Sequence, residues 1–193
     1  MLTDLSAFDT FIAAGVPGGW QTNMRTLWSP VDDVHGALLE LVSSASLSLV
    51  IAEFAFDDED LATTVHTKID TPHVFTQISL DAGQALGTHE KAILAKNAYP
   101  ATSIAWGNSE HGAYMHLKVI IVDGLYLATG STNLSTSGET KQDNQLTITA
   151  DPLACAQARA RTDAIHDSML KQMAAKLAKA AAPVIGPKTG GPS

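Results

Sequence analysis

The stretch MHLKVIIVDGLYLATGSTN, residues 115–133, is apolar along its middle and polar at both ends. Two runs in this region, residues 114–122 and 125–129, have the β-branched and aromatic composition of strands. Asp123-Gly124 between them is a strong signal for a two-residue β-hairpin. The stretch therefore predicts two antiparallel strands at the centre of the protein.

The polar ends of this hairpin are predicted to meet. His116 and Lys118 share one face of the first strand, because alternate side chains of a strand point the same way. Ser131 and Asn133 converge by the same rule if the chain stays extended past the second strand. Since the hairpin is antiparallel, His116 lies opposite residues 130–132. The four side chains can therefore surround one point.

An imidazole, an ammonium group and neutral hydrogen-bond donors around one point suit a phosphoryl centre. Lys118 and Asn133 can bind the non-bridging oxygens while His116 attacks phosphorus. Gly130 and Ser131 are candidates to shape the loop and position the phosphate. This chemistry requires no metal and no other cofactor.

The rest of the chain alternates strand and helix signals, which predicts an α/β fold, an α-β-α sandwich around a mixed sheet. Further strands are predicted over residues 24–28, 46–56, 74–80, 103–106 and 145–149, and helices over 29–44, 57–68, 88–97 and from 151 onward. Residues 1–22 are interpreted as an irregular N-terminal arm, 23–182 as one domain and 183–193 as a flexible tail.

Composition limits the classes of function. The 193 residues, 45% of them hydrophobic, suffice for one domain with a sizeable core. A net charge of -8 means that binding to nucleic acid would need a local basic patch. No apolar window of about 18 residues is present, so we expect a soluble, preferably cytoplasmic protein without stable membrane insertion. The single Cys155 excludes an intramolecular disulfide and a cysteine zinc cluster.

Residues 116–133 follow the pattern HxKx4Dx6GSxN, which resembles the signature of the phospholipase D superfamily. Six specified residue types at fixed offsets would arise by chance on the order of 10⁻⁸ per start position. The order of elements over residues 24–173 also resembles that fold. Members of the superfamily break phosphodiester bonds through a covalent phosphohistidine, and they usually combine two copies of the motif in one site.

This chain contains one copy of the motif and no internal repeat, so it resembles the single-motif bacterial endonucleases that pair two subunits across a twofold axis. That resemblance implies a homodimer in which His116 of one subunit is the nucleophile and the partner subunit's His116 is the general acid, later the base. It implies DNA or RNA as the substrate. A phospholipase D-type lipid phosphodiesterase or transphosphatidylase is the alternative enzyme, and a non-catalytic nucleic-acid or lipid binding module is the third hypothesis.

Three acids are candidates to orient the nucleophile, because a neutral imidazole needs an acceptor at its other ring nitrogen. Asp123 is the acid of the motif, although its place in a turn at the far end of the strand makes a structural role an equal alternative. Glu139 and Asp143, downstream of Asn133, are the preferred candidates to orient His116.

Two further residues are candidates for the pocket. His111 lies in a polar loop that leads into the catalytic strand, where it can contribute to the rim of the site. Glu53 interrupts an apolar strand, and a buried carboxylate needs a partner, so it either pairs with a helix or faces the pocket. The remaining histidines, including His35, show no metal-ligand spacing, and the sequence predicts no metal site.

Overall fold

A computed structural model describes residues 2, 4–87, 91–92, 94, 96, 99–100 and 102–181 of the chain. Within them the strands are β1 Met24–Ser29, β2 Ser48–Glu53, β3 Phe75–Asp81, β4 Ile104–Gly107, β5 Lys118–Val122, β6 Tyr126–Gly130 and β7 Asn144–Ala150. The helices are a 3-10 helix Leu5–Phe11, α1 Val34–Ser43, α2 Glu59–Asp70, α3 Ala82–Ala85, α4 Thr136–Thr140 and α5 Pro152–Ala181. The helix predicted over residues 88–97 lies mostly outside the described residues. None of the described helices is long and apolar enough to cross a membrane.

The strands form one mixed sheet in the order β1-β7-β6-β5-β2-β3-β4. Strands β2, β3 and β4 run parallel to one another, and the other neighbours pair antiparallel. The predicted central hairpin is confirmed, since Val119 of β5 pairs with Thr129 of β6. Its turn residues Asp123 and Gly124 both have positive φ, 54° and 67°, as the tightest hairpin turns require.

Each face of the sheet carries its own apolar core, because successive strand side chains point to opposite faces. Ile120 and Val122 of β5 join the core under α1 and α2. Val119 and Ile121 join the core under α5, where Met169 is fully buried. Helices therefore cover both faces of the central strands, and the predicted α-β-α sandwich is confirmed.

The first helix begins later than the sequence indicated. Ser29, where the predicted helix begins, remains in β1, and its hydroxyl oxygen lies 3.0 and 2.8 Å from the carbonyl oxygens of Gly138 and Gln142. Asp33 caps α1 instead, and its carboxylate accepts a hydrogen bond from the Gly36 N–H at 2.9 Å. Ser29 stays in the strand because the α4 segment, more than 100 residues later in the sequence, packs against this residue.

The N-terminal segment contains more regular structure than the irregular arm predicted for residues 1–22. Residues 5–11 form a 3-10 helix capped by Asp4, whose carboxylate accepts from the Ser6 N–H at 2.7 Å. Leu5 and Phe8 lie three residues apart on one face of it and are fully buried in the core. This segment therefore packs on the domain.

Candidate active site

His116 and Lys118 meet at the exposed end of the central hairpin. The Lys118 Nζ lies 3.2 Å from the His116 Nε2 and 3.3 Å from the His116 carbonyl oxygen. The predicted strand from residue 114 begins only at Lys118, because the ladder with β2 ends at the Glu53–Lys118 pair. His116 therefore precedes the strand, and its exposed ring reaches Lys118 from the adjoining segment.

Lys118 is held between a carboxylate and an aromatic ring. It is 8% exposed and pairs across the strands with Glu53, which is 1% exposed. Burial lowers the pKa of Lys118, and the negative charge of Glu53 opposes that shift without cancelling it. The Lys118 Nζ lies 4.8 Å from the centroid of the Phe54 ring. The centroids of the Phe54 and His116 rings are 4.5 Å apart. The Phe54 ring and the negative charge of Glu53 thus favour an ammonium group beside the imidazole.

The segment after β6 contributes buried polar atoms to the same end of the hairpin. Thr132 is 3% exposed and lines a small cavity together with Glu53 and Lys118. Among the described residues, the Thr132 Oγ1 and the Asn133 Oδ1 are buried without a hydrogen-bond partner. Such atoms are costly in a purely structural role, which makes them candidates to face a ligand. Thr132 was missed because its motif position tolerates any residue type.

Gly130 and Ser131 are held against β7. A Cβ at Gly130 would overlap the carbonyl oxygen of Gln145, so the close approach of the two strands requires glycine here. The Ser131 hydroxyl donates to the Asn144 side chain at 2.9 Å and accepts from the Gln145 N–H at 3.1 Å. These contacts shape the loop and place Ser131 on its β7 side.

Asp123 lies at the opposite end of β5 from His116. Its carboxylate accepts hydrogen bonds from the backbone N–H groups of Ser46, Leu47 and Ser48, at 2.7 to 3.1 Å, and from the Ser46 hydroxyl at 2.7 Å. Burial would raise the pKa of Asp123, but these hydrogen bonds outweigh it and hold the pKa below its usual value. Of the two roles considered for Asp123, the geometry fits the structural one.

Replacing Asp123 with asparagine is expected to destabilise the protein by about 2 kcal/mol, because charge-assisted hydrogen bonds become neutral or are lost. Asparagine tolerates the positive φ. Since the folded pKa of the carboxyl is lowered, its stabilisation is present above the ordinary value of 3.8 and is lost as the pH falls below it. Urea unfolding at pH 7 and pH 3 measures both effects. Equal stability of the two proteins at pH 7 would contradict this role.

The two acids preferred for orienting His116 lie elsewhere. Glu139 is 1% exposed in α4, and its Oε2 accepts a hydrogen bond from the Nδ1 of His35 at 2.6 Å. Asp143 is exposed before β7 and lines a shallow cavity beside Ser131. The described partners of the His116 ring are Lys118 and Phe54.

A cavity of about 200 Å³ opens beside His116. Tyr114, Ser109 and Arg161 line it, together with apolar side chains. His111 is exposed in the preceding loop and is not part of this lining. Tyr114 is 69% exposed and packs edge-on against Phe54, with the ring centroids 5.7 Å apart. Phe54 and Tyr114 gave no signal in the sequence, because each acts through packing with residues distant along the chain.

The chain belongs to the phospholipase D-like family, since the family described as "Cardiolipin synthase, PLD-like domain" matches residues 38–166, well over half of its length. The resemblance read from the motif is thereby confirmed. A comparison with curated proteins found no match.

Several solved structures share the fold. The chain is similar to Nuc, a phospholipase D family member from Salmonella typhimurium, with 21% identity over 75% of this chain and 94% of that one and a TM-score of 0.66. It is similar to NucT from Helicobacter pylori, with 21% identity over 75% and 96% of the two chains and a TM-score of 0.63. Phosphatidylserine synthase from Haemophilus influenzae is 13% identical over 74% of this chain and 39% of that one, with a TM-score of 0.52.

Proposed function

We propose that the protein is a phosphodiester hydrolase that cleaves DNA or RNA through a phosphohistidine at His116. The observation that carries this proposal is the 3.2 Å contact between the Lys118 Nζ and the His116 Nε2. An ammonium group only donates hydrogen bonds, so the Nε2 is the unprotonated ring nitrogen. Its lone pair becomes free to attack phosphorus when the Lys118 ammonium turns to a phosphate oxygen. The proposed nucleophile, His116, therefore lies next to Lys118, the cation that would bind the phosphate oxygens.

The proposed reaction has two displacements. The His116 Nε2 attacks phosphorus, the bond to the leaving oxygen breaks, and that oxygen takes a proton from a general acid. The Lys118 ammonium and the Asn133 amide bind the non-bridging oxygens as charge is redistributed. The same acid, now a base, removes a proton from water, and the resulting hydroxide breaks the bond between phosphorus and nitrogen.

We assign the general acid to the partner subunit's His116, in a homodimer. In the described part of this chain, three other histidines have polar partners elsewhere: His35 binds Glu139, His66 pairs with Asp70 and His166 binds Ser79. The exposed ring of Tyr114 beside His116 offers apolar surface for a second subunit at the site. One motif copy per chain supports the same arrangement.

A nucleic-acid substrate is favoured by the single-motif resemblance. The overall charge of -8 does not attract phosphate, and the three arginines, Arg25, Arg159 and Arg161, form ion pairs with Asp9, Asp163 and Glu110. Binding therefore depends on the local Lys118 charge more than on a basic surface. The description of the matching family as cardiolipin synthase supports a lipid phosphodiester as the second candidate.

Hydrolysis in excess EDTA tests the substrate and the chemistry together. The panel contains single-stranded DNA, duplex DNA, RNA, bis(p-nitrophenyl) phosphate and phosphatidylcholine vesicles, at a temperature where circular dichroism shows the EDTA-treated protein folded. We expect cleavage of a nucleic acid, and sedimentation of the same sample as a dimer. Cleavage of lipid alone would select the second candidate. A folded protein that cleaves nothing would contradict both enzymes, and an active monomer would contradict the shared site.

A further inference from the structure

A second cluster of ionisable side chains lies where α1, α2 and α4 meet. The Nδ1 of His35 is 2.6 Å from the Glu139 Oε2 and 3.6 Å from the Asp58 Oδ2. The ligand atoms of these three residues all lie within 4.8 Å of one another, the one such group of histidine, cysteine and acidic side chains in the described part of the chain. Among the described residues, no hydrogen bond or ion pair joins these three side chains to His116 or Lys118.

The local fold directs these side chains toward one another. Asp58 is the N-cap of α2, and its Oδ1 accepts from the Leu61 N–H at 2.8 Å. Its Oδ2 faces His35 and also accepts a hydrogen bond from the Thr136 hydroxyl at 3.3 Å. Glu139 lies in α4, which begins after the N-cap Ser135. His35 is the second residue of α1. Three separate helices thus each supply one candidate ligand.

The cluster carries more buried negative charge than its described partners neutralise. Asp58 is 5% exposed and Glu139 is 1% exposed, and the ion pairs described for both carboxylates involve only His35. The Glu139 Oε1 is buried without a hydrogen-bond partner among the described residues. Two buried carboxylates that share one imidazole are unfavourable without further positive charge.

We propose that His35, Asp58 and Glu139 bind one divalent transition-metal cation of the Zn²⁺ or Mn²⁺ class. One imidazole and two carboxylates without a thiolate form a ligand set that these ions accept. Ligands about 2.0–2.1 Å from a tetrahedral ion stand roughly 3.4 Å apart, and the observed separations of 2.6 and 3.6 Å bracket that value. The Glu139 Oε1 supplies a further oxygen ligand, and the His35 Nδ1 gives up its proton when the ion binds.

An ion can reach the cluster from the surface, and its binding would link three helices. The His35 side chain is 26% exposed, and the exposed Asp60 carboxylate lies 3.8 Å from its Nε2 at the surface. A bound ion would tie α1 and α2 to α4, which begins at Thr136, shortly after Asn133. We therefore assign the ion a structural role next to the segment that carries Asn133 and no part in attack at phosphorus. This inference does not depend on the proposed hydrolase activity.

Thermal unfolding of the full-length protein tests the proposal. Protein dialysed against EDTA and then freed of it is titrated separately with ZnCl₂, MnCl₂ and, for comparison, MgCl₂. With one site per chain, we expect Zn²⁺ or Mn²⁺ to raise the melting temperature by roughly 5 °C or more at a hundredfold excess over Kd. Isothermal titration should give one ion per chain, and Mg²⁺ should have a smaller effect.

Matched variants locate the site. Asp58→Asn keeps a capping side chain for α2 and removes one charged ligand, so we expect the metal-dependent shift to disappear while the protein still folds. Glu139→Gln should behave in the same way. His66→Gln removes a half-exposed histidine that pairs with Asp70 3.6 Å away, and it should retain the full shift.

The proposal is overturned if neither metal raises the melting temperature of the wild type. It is equally overturned if Asp58→Asn, shown to be folded by circular dichroism, keeps the full shift. In either case the cluster is a hydrogen-bonded network that joins three helices. If Glu139→Gln does not fold, the Asp58→Asn comparison alone decides between these outcomes.

Discussion

Replacing His116 with alanine is expected to lower the rate of phosphodiester hydrolysis by about 10⁴-fold or more, because no nucleophile remains to form the covalent intermediate. The side chain is exposed, so its loss should change the melting temperature little. Steady-state rates with bis(p-nitrophenyl) phosphate and with the preferred nucleic acid measure the effect.

The control for this variant is His66→Ala, which removes a partly exposed histidine in α2. It should keep wild-type activity. A His116→Ala protein that retains a tenth or more of the activity would refute the assignment of the nucleophile, as would an equal loss in both variants.

Replacing Lys118 with methionine is expected to lower kcat/KM by 10²- to 10⁴-fold, because a cation that stabilises the transition state is lost. It is also expected to destabilise the fold. Methionine keeps most of the side-chain volume but removes the positive charge that interacts with the buried Glu53 carboxylate across the strands. Loss of one member of such a pair costs up to about 3 kcal/mol. Kinetics and urea unfolding of the same preparation separate the two effects.

The double variant Lys118→Met with Glu53→Gln distinguishes catalysis from folding. It removes both charges, so we expect much of the stability to return while activity stays low. Recovery of activity together with stability would show that Lys118 acts through the fold alone.

The pH dependence of the wild type gives a further check on Lys118. Burial holds its pKa below the ordinary 10.5, so the protonated form required for phosphate binding is lost at a lower pH than for an exposed lysine. We therefore expect activity to fall on the alkaline side before pH 10.5. An unchanged rate through that value would contradict a role for the ammonium group.

The sequence predicted the central hairpin and the meeting of His116 with Lys118, because both depend on signals a few residues long. Asp123-Gly124 determines a tight turn, and the apolar runs on either side determine the strands, so the pairing that brings residue 119 to residue 129 follows. His116 and Lys118 are two residues apart, and they meet although the strand begins only at Lys118.

The acids were harder to place, because the direction of a carboxylate depends on contacts distant along the chain. Glu139 turns toward His35 from a helix that packs against β1 and α1, and no local pattern records that packing. Asp123 stands in the motif but binds the backbone of residues 46–48, nearly 80 residues earlier. Sequence reasoning found these residue types, and tertiary structure determined their partners.

The covalent phosphohistidine is the central claim, and the stereochemical course of hydrolysis tests it most directly. A phosphorothioate diester of known configuration at phosphorus is hydrolysed in ¹⁸O-labelled water, and the configuration of the product is determined. Two in-line displacements, by His116 and then by water, each invert phosphorus, so the account predicts overall retention. Inversion would mean that water attacks phosphorus in a single step, and it would contradict a covalent intermediate on His116.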